Sequence, residues 1–182
     1  MTDINKHVAR YFNFLESDAD ATFHRLHTEY SKAVAERDFH HDKRSNPNHF
    51  AHHPDVKVRQ AHHRAEATWS LADTMSYSIH NRPSDKVQKE TYDQAYNLRD
   101  KRDSMPAVKA FHDKADKLEK RVNSTREAVR NHYVKYGGPT FPRHPSKPNP
   151  DVVHQHTQHL KDKAGPVPKY NDDFDYDYDS WK

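Results

Sequence analysis

The 182-residue chain has no cysteine, which excludes disulfides, thiolate zinc sites, iron–sulfur clusters and a cysteine nucleophile. It has only three glycines, too few for a turn-rich sandwich or barrel. No Walker loop, GxGxxG, EF-hand loop or G-x-S-x-G elbow occurs in it. Strong core formers are scarce: Leu, Ile, Val and Phe supply 28 residues, about 15% of the chain, below the roughly 20% under which chains tend towards disorder. The high net charge that accompanies disorder is missing too, since 30 Lys and Arg stand against 27 Asp and Glu, for a formal +3. With a mean hydropathy of −1.30, no window approaches the about 18 apolar residues of a membrane span. No apolar h-region follows Met1-Thr2-Asp3-Ile4-Asn5-Lys6. These absences predict a chain of the cytoplasm or of a virion interior, with no membrane contact and no deep apolar pocket.

What is present is helical periodicity. Ile4, Val8, Tyr11, Leu15, Ala19, Phe23, Leu26, Tyr30 and Val34 recur every three or four positions and predict a helix over 3–38. Residues 39–53 break the pattern with Pro47 and two asparagines and read as a loop. A second helix is expected from Pro54 or Asp55, with Ala61, Ala65, Trp69, Ala72, Met75 and Ile79 on one face. Ser84 is placed to cap a third helix over 85–103, weakly apolar through Val87, Tyr92, Ala95, Tyr96 and Leu98. After Ser104-Met105-Pro106 comes the clearest pattern. Val108, Phe111, Ala115, Leu118, Val122, Thr125, Val129, His132 and Tyr136 step like a coiled-coil seam up to Gly137-Gly138-Pro139. The expected fold is all-α: an elongated four-helix bundle or paired helical hairpins over 1–137, then an extended proline-rich C-terminal arm over 138–182. Seven of the 11 prolines fall in the last 44 residues. One short helix, 151–164, is expected inside the arm, closed by Gly165-Pro166, and an acidic aromatic tip follows at 171–182.

Histidine is the oddest component: 17 in all, seven of them within residues 40–63. Converging imidazoles bind zinc and other divalent metals, so His40, His41, Asp42, His49, His53 and His63 form a candidate metal set. The His-Asp doublets His41-Asp42 and His112-Asp113 resemble those of HD-domain phosphohydrolases, an all-α family. That resemblance would imply metal-activated water and a hydrolase. The flanks depart from the family pattern: Glu36-Arg37-Asp38 precedes the first doublet and Lys43-Arg44-Ser45 follows it, while the second adjoins the seam residue Phe111.

The charge is segregated. Residues 171–182 carry five aspartates and one lysine, a charge of −4, which leaves +7 on residues 1–170. Arg143, Lys147, Lys161, Lys163 and Lys169 decorate the proline-rich stretch and could track phosphates of a nucleic acid. Tyr170, Asp172, Asp173, Phe174, Asp175, Tyr176, Asp177, Tyr178, Asp179 and Trp181 alternate acids with rings; when extended, carboxylates fall on one side and rings on the other. In composition this tip is similar to the acidic C-terminal tips of single-stranded DNA-binding proteins, although it ends Trp181-Lys182. It suits docking on a basic, partly apolar groove. The expectation is a non-enzymatic structural or assembly protein that needs no cofactor. It would be a helical spacer that joins other protein subunits, as homo- or hetero-oligomer, in an assembly such as a bacteriophage virion. A metal-dependent hydrolase and a nucleic-acid accessory protein with an acidic regulatory tail are the alternatives.

Overall fold

A computed structural model describes residues 3–77, 84–136 and 146–169, with side chains from residue 18 onwards in the first stretch. The protein is all-helical, and no strand occurs among the described residues. The described residues form, in order, α1 (Asp3–His41), α2 (Val56–Tyr77), α3 (Asp85–Asp103), α4 (Pro106–Tyr136) and α5 (Pro150–Ala164); a 3-10 turn at Phe50–His52 lies between α1 and α2.

The helix ends follow local chemistry. Ser84 caps α3 by accepting from the Val87 amide. Asp55 receives the Lys57 amide at 2.8 Å, so α2 starts at Val56, two residues after the proline. Helix α1 runs three residues past its expected end at 38, because the Asp42 amide still reaches the Asp38 carbonyl at 3.0 Å. Asn149 caps α5 through the Asp151 amide, and Gly165 closes it at φ +78, a left-handed conformation that side chains disfavour.

Helix α4 lies antiparallel along α1, pairing Phe23 with Tyr133 and His40 with Phe111. Phe23, Tyr30, Ala33, Val34, Val122 and Val129 form the core between them. Much of the α4 seam is thus covered by α1 of the same chain, while Val108 packs with Phe50 and Val58, and only the last seam member, Tyr136, is exposed. Helices α2 and α3 make a separate antiparallel hairpin. Its interior is small: Ala65, Thr68, Ala72 and Ala95, with Trp69 edge-on to Tyr92 and Tyr96 at 5.9 and 5.3 Å. The arrangement is one of paired hairpins, because α2 and α3 meet the rest of the chain mainly through the 3-10 turn and the α3–α4 junction. The arm is not extended throughout: α5 lies parallel along α1, with Val153 against the α1/α4 core.

Candidate functional site

Two polar arrangements stand out, one where the hairpins meet and one where α5 lies on α1. At the junction, Phe50, Val58 and Val108 form a small core with Met105, Ala107 and Phe111 around it. Histidines complete it as rings. His40 stacks on Phe111 with centroids 3.9 Å apart, and His49 lies 4.2 Å from Phe50 and 5.1 Å from Phe111. His62 stands edge-on to Phe50 at 4.7 Å and to His49 at 5.8 Å. All three are buried. The His40 Nε2–H donates to the Phe111 carbonyl at 3.0 Å, and His49 Nδ1 accepts the Ala51 amide at 3.1 Å. Asn46, also buried, donates to the His40 carbonyl and accepts the Asn48 amide, fixing the turn that follows α1. Arg102 ties α3 in, with Nη1 3.3 Å from Glu66 and its guanidinium over the Phe50 ring at 5.4 Å.

Burial among these rings disfavours the imidazolium. It pushes His49 down to about 4 and His62 down to about 3, and it holds His40 below its ordinary value against the opposing pull of the Phe111 carbonyl. The junction is therefore built from neutral imidazoles acting as aromatic filler in a chain poor in leucine and phenylalanine.

The candidate metal residues are scattered through this region. His40 and His49 share the ring cluster, with their backbone-directed nitrogens occupied. His41 is exposed, and His63 is only half-buried, on the α2 flank beside His62. His53 accepts the Asp55 amide. Asp42 accepts the Arg44 amide at 2.9 Å, and this bond and one from the Ser45 hydroxyl hold its carboxyl below the usual range. Among the described residues no three His, Asp or Glu side chains are placed together to hold a metal ion. In the second His-Asp doublet, the His112 ring lies 3.7 Å from Asp103. His62 was not among the candidates although the spacing 58, 62, 65, 72 marks it as inward-facing, and Arg102 and Asn46 carried no sequence signal of burial.

The second arrangement seats α5. His27 Nε2–H donates to the Lys147 carbonyl at 2.9 Å and Tyr30 donates to the Ser146 carbonyl at 3.0 Å. The Ser31 hydroxyl, fully buried, accepts the Asn149 amide at 2.8 Å while donating to the His27 carbonyl. Further along, Glu36 binds Arg121 of α4 and His156 of α5, joining three helices at one carboxylate. A recess of about 200 Å³ lined by Glu36, Phe39, His40, Asn46, Leu118 and Leu160 separates this seam from the junction. It is smaller than ordinary small-molecule pockets. A groove of about 610 Å³ along Glu66, Trp69, Ser70, Asp73, Thr74 and Tyr77 is open to solvent, and its Thr74 hydroxyl is spent on the Ser70 carbonyl.

Of the candidate phosphate-tracking residues, Lys147, Lys163 and Lys169 are exposed and Lys161 is half-buried near Asp42. Two positions apart on α5, Lys161 and Lys163 face opposite sides and make no single basic stripe. Arg143 and the proposed docking tip, Tyr170 through Trp181, lie outside the described residues. No helix among the described residues is long and apolar enough to cross a membrane. The chain matches no family model, and comparison with curated proteins and with solved structures finds nothing significantly similar.

Proposed function

We propose that the protein is a non-enzymatic structural or assembly protein, a helical spacer that joins neighbouring subunits through its C-terminal arm. The observation that carries this reading is the seating of α5. Within the arm, α5 is a discrete helix on α1, where main-chain groups of residues 146–149 meet His27, Tyr30 and Ser31 and no α5 residue is fully buried. Five residues beyond α5, at 170–181, the sequence changes to alternating aspartates and rings, a pattern with no closed apolar face of its own. Alternating acids and rings of this kind suit docking on a basic, partly apolar partner surface. The paired hairpins supply length: α1 alone spans 39 residues, about 58 Å of helix. A large particle such as a bacteriophage virion is the setting this design suits, with other subunits as the partners.

The test is deletion of residues 170–182, followed by measurement of self-association or incorporation into the native assembly. Loss of incorporation with an unchanged helical content is the expected result. Full incorporation of the truncated chain would reject the tip as the docking element.

A further inference from the structure

We infer that the free molecule holds its own acidic tip on the outer face of α4, with Asp177, Asp179 and Trp181 along Arg126, Arg130 and Val134. This rests on the reading that the tip is a docking element, and it adds what occupies the tip before a partner does.

Charge selects that face. Of the +7 on residues 1–170, +4 falls within α4 residues 120–136, which hold five bases and one acid, Glu127. The earlier part of α4, α3 and α5 are each balanced, α2 is +1 and α1 is −2. Arg121 is engaged with Glu36. Arg126 donates to the neutral carboxamide of Asn123 at 2.7 Å, and among the described residues neither it nor Arg130 is in an ion pair. The tip carries −4. Apolar surface accompanies the charge. Val134 is 85% exposed, more than any other large apolar side chain described, and Tyr133 and Tyr136 of the same last turn are exposed too. Arg126, Arg130 and Val134 line one groove of about 390 Å³ with Asn123, Glu127 and Asn131.

Spacing agrees with the charge. Arg126, Arg130 and Val134 follow at four-residue steps, about 6 Å of helix rise each. Residues on one side of an extended segment recur every second position, about 6.7 Å. Asp177, Asp179 and Trp181 are such a set, two acids and then a ring, against two arginines and then an apolar side chain. Over both steps the two repeats differ by about 1.4 Å, which long arginine side chains absorb.

The tip starts close enough. Leu160 of α5 and Leu118 of α4 line one recess, and α5 runs antiparallel to α4, so Ala164 stands level with about residue 114 of α4. Val134 is about 30 Å further along the axis, and two helix widths across make the separation about 36 Å. The 17 links from Ala164 to Trp181 span up to about 56 Å, a bound that chain length alone sets. An assembly partner then takes the tip by displacing it from α4, and the most basic face of the chain stays covered until it does.

Trp181 reports on its own position once Trp69→Phe removes the other tryptophan. In the full chain at about a micromolar, far below the about millimolar effective concentration of a tethered segment, Trp181 should be shielded from acrylamide. The shielding should not vary with protein concentration. It should fall as salt rises from about 0.01 M to about 1 M, where the screening length shrinks from about 30 Å to about 3 Å. Arg126→Glu with Arg130→Glu turns two exposed pairs into repulsions and should lower the docked-to-free ratio about tenfold. Lys109→Glu with Lys117→Glu, on the balanced part of α4, should leave it unchanged. Because Trp69→Phe touches the α2/α3 hairpin, a second measurement keeps both tryptophans. Asn131→Cys and Ser180→Cys, in a chain with no other cysteine, should be joined within one chain by a short bis-maleimide, and the arginine swaps should abolish the link. A fully accessible Trp181 with no link, or shielding that appears only as concentration rises, would overturn the inference and leave the tip's role in assembly intact. Shielding and the link, together with undiminished assembly of the chain lacking 170–182, would uphold the inference and reject that role.

Discussion

At neutral pH the imidazoles of His40, His49 and His62 serve the hairpin junction as uncharged rings, and the cost of that choice is paid in acid. The unfolded chain takes up protons at the ordinary histidine value near 6.5, whereas the folded His49 and His62 resist until about 4 and about 3. Their contribution to stability is therefore complete above pH 6.5 and declines as pH falls from 6.5 towards the folded values. Each costs about 1.4 kcal/mol per pH unit in that window, so by pH 5 the pair removes on the order of 4 kcal/mol, a large share of a typical domain's stability. Urea midpoints measured from pH 7 to 5 should fall steadily; a flat profile would contradict neutral burial. His62 offers a sharper test, since its buried Nδ1 has no hydrogen-bond partner among the described residues. Replacing it with phenylalanine keeps the edge-on contact with Phe50 and removes an unsatisfied buried nitrogen. His62→Phe should stabilise the protein by about 1 kcal/mol at pH 7 and flatten the acid slope by about 1.4 kcal/mol per unit. In the sequence His40 and His49 looked like ligands because residue type is visible and ring orientation is not, and His62 was not singled out at all. Only the α2 spacing, which selects His62 over His63, hinted that they were packing.

Among the elements, helix existence and most boundaries were legible, because caps and periodicity are local. Ser84, the Ser104-Met105-Pro106 break and Gly165 each act within one turn of their own position. Pairing was less legible. The α4 seam announced burial, but α1 carries an equally long stripe, and nothing in either pattern says that the two meet each other and not another molecule. Position 31 shows why. A serine within the stripe formed by Tyr30, Ala33 and Val34 reads as a weak core position, yet its hydroxyl is the acceptor that seats α5. Ser31→Ala deletes that acceptor of the Asn149 amide, at a cost of about 1 kcal/mol. Amide exchange across 150–164 should accelerate about fivefold, while exchange in α4 stays unchanged. Equal acceleration in both helices would mean that α5 is not an independent unit. In the α1/α4 core, Val129→Ala removes a fully buried side chain and should cost about 2 kcal/mol of global stability.

For the whole molecule, the sparse supply of large apolar residues explains the division into hairpins. Phe23, Tyr30, Val34, Val122 and Val129 are concentrated in the α1/α4 pair, which leaves α2 and α3 to meet over alanine and threonine. The low count of core formers was plain in the sequence; which pair of helices received them was not, since that depends on contacts between residues about a hundred positions apart. The consequence is unequal stability. Burial of Ala65, Thr68, Ala72 and Ala95 removes little apolar area, and the Trp69 cluster with Tyr92 and the Arg99 guanidinium is the hairpin's main aromatic contact. Because that hairpin joins the rest mainly at the junction, it gains little from the α1/α4 core and should open first. Trp69 reports on it directly once Trp181→Phe removes the other tryptophan. In a urea titration the Trp69 fluorescence midpoint should precede that of the helical circular dichroism signal, which α1 and α4 dominate. Acidification from pH 7 to 5 should widen the gap, since the histidines that weaken are those that couple the two parts. Coincident midpoints at both pH values would show a single cooperative unit and would refute the division into separately stable hairpins.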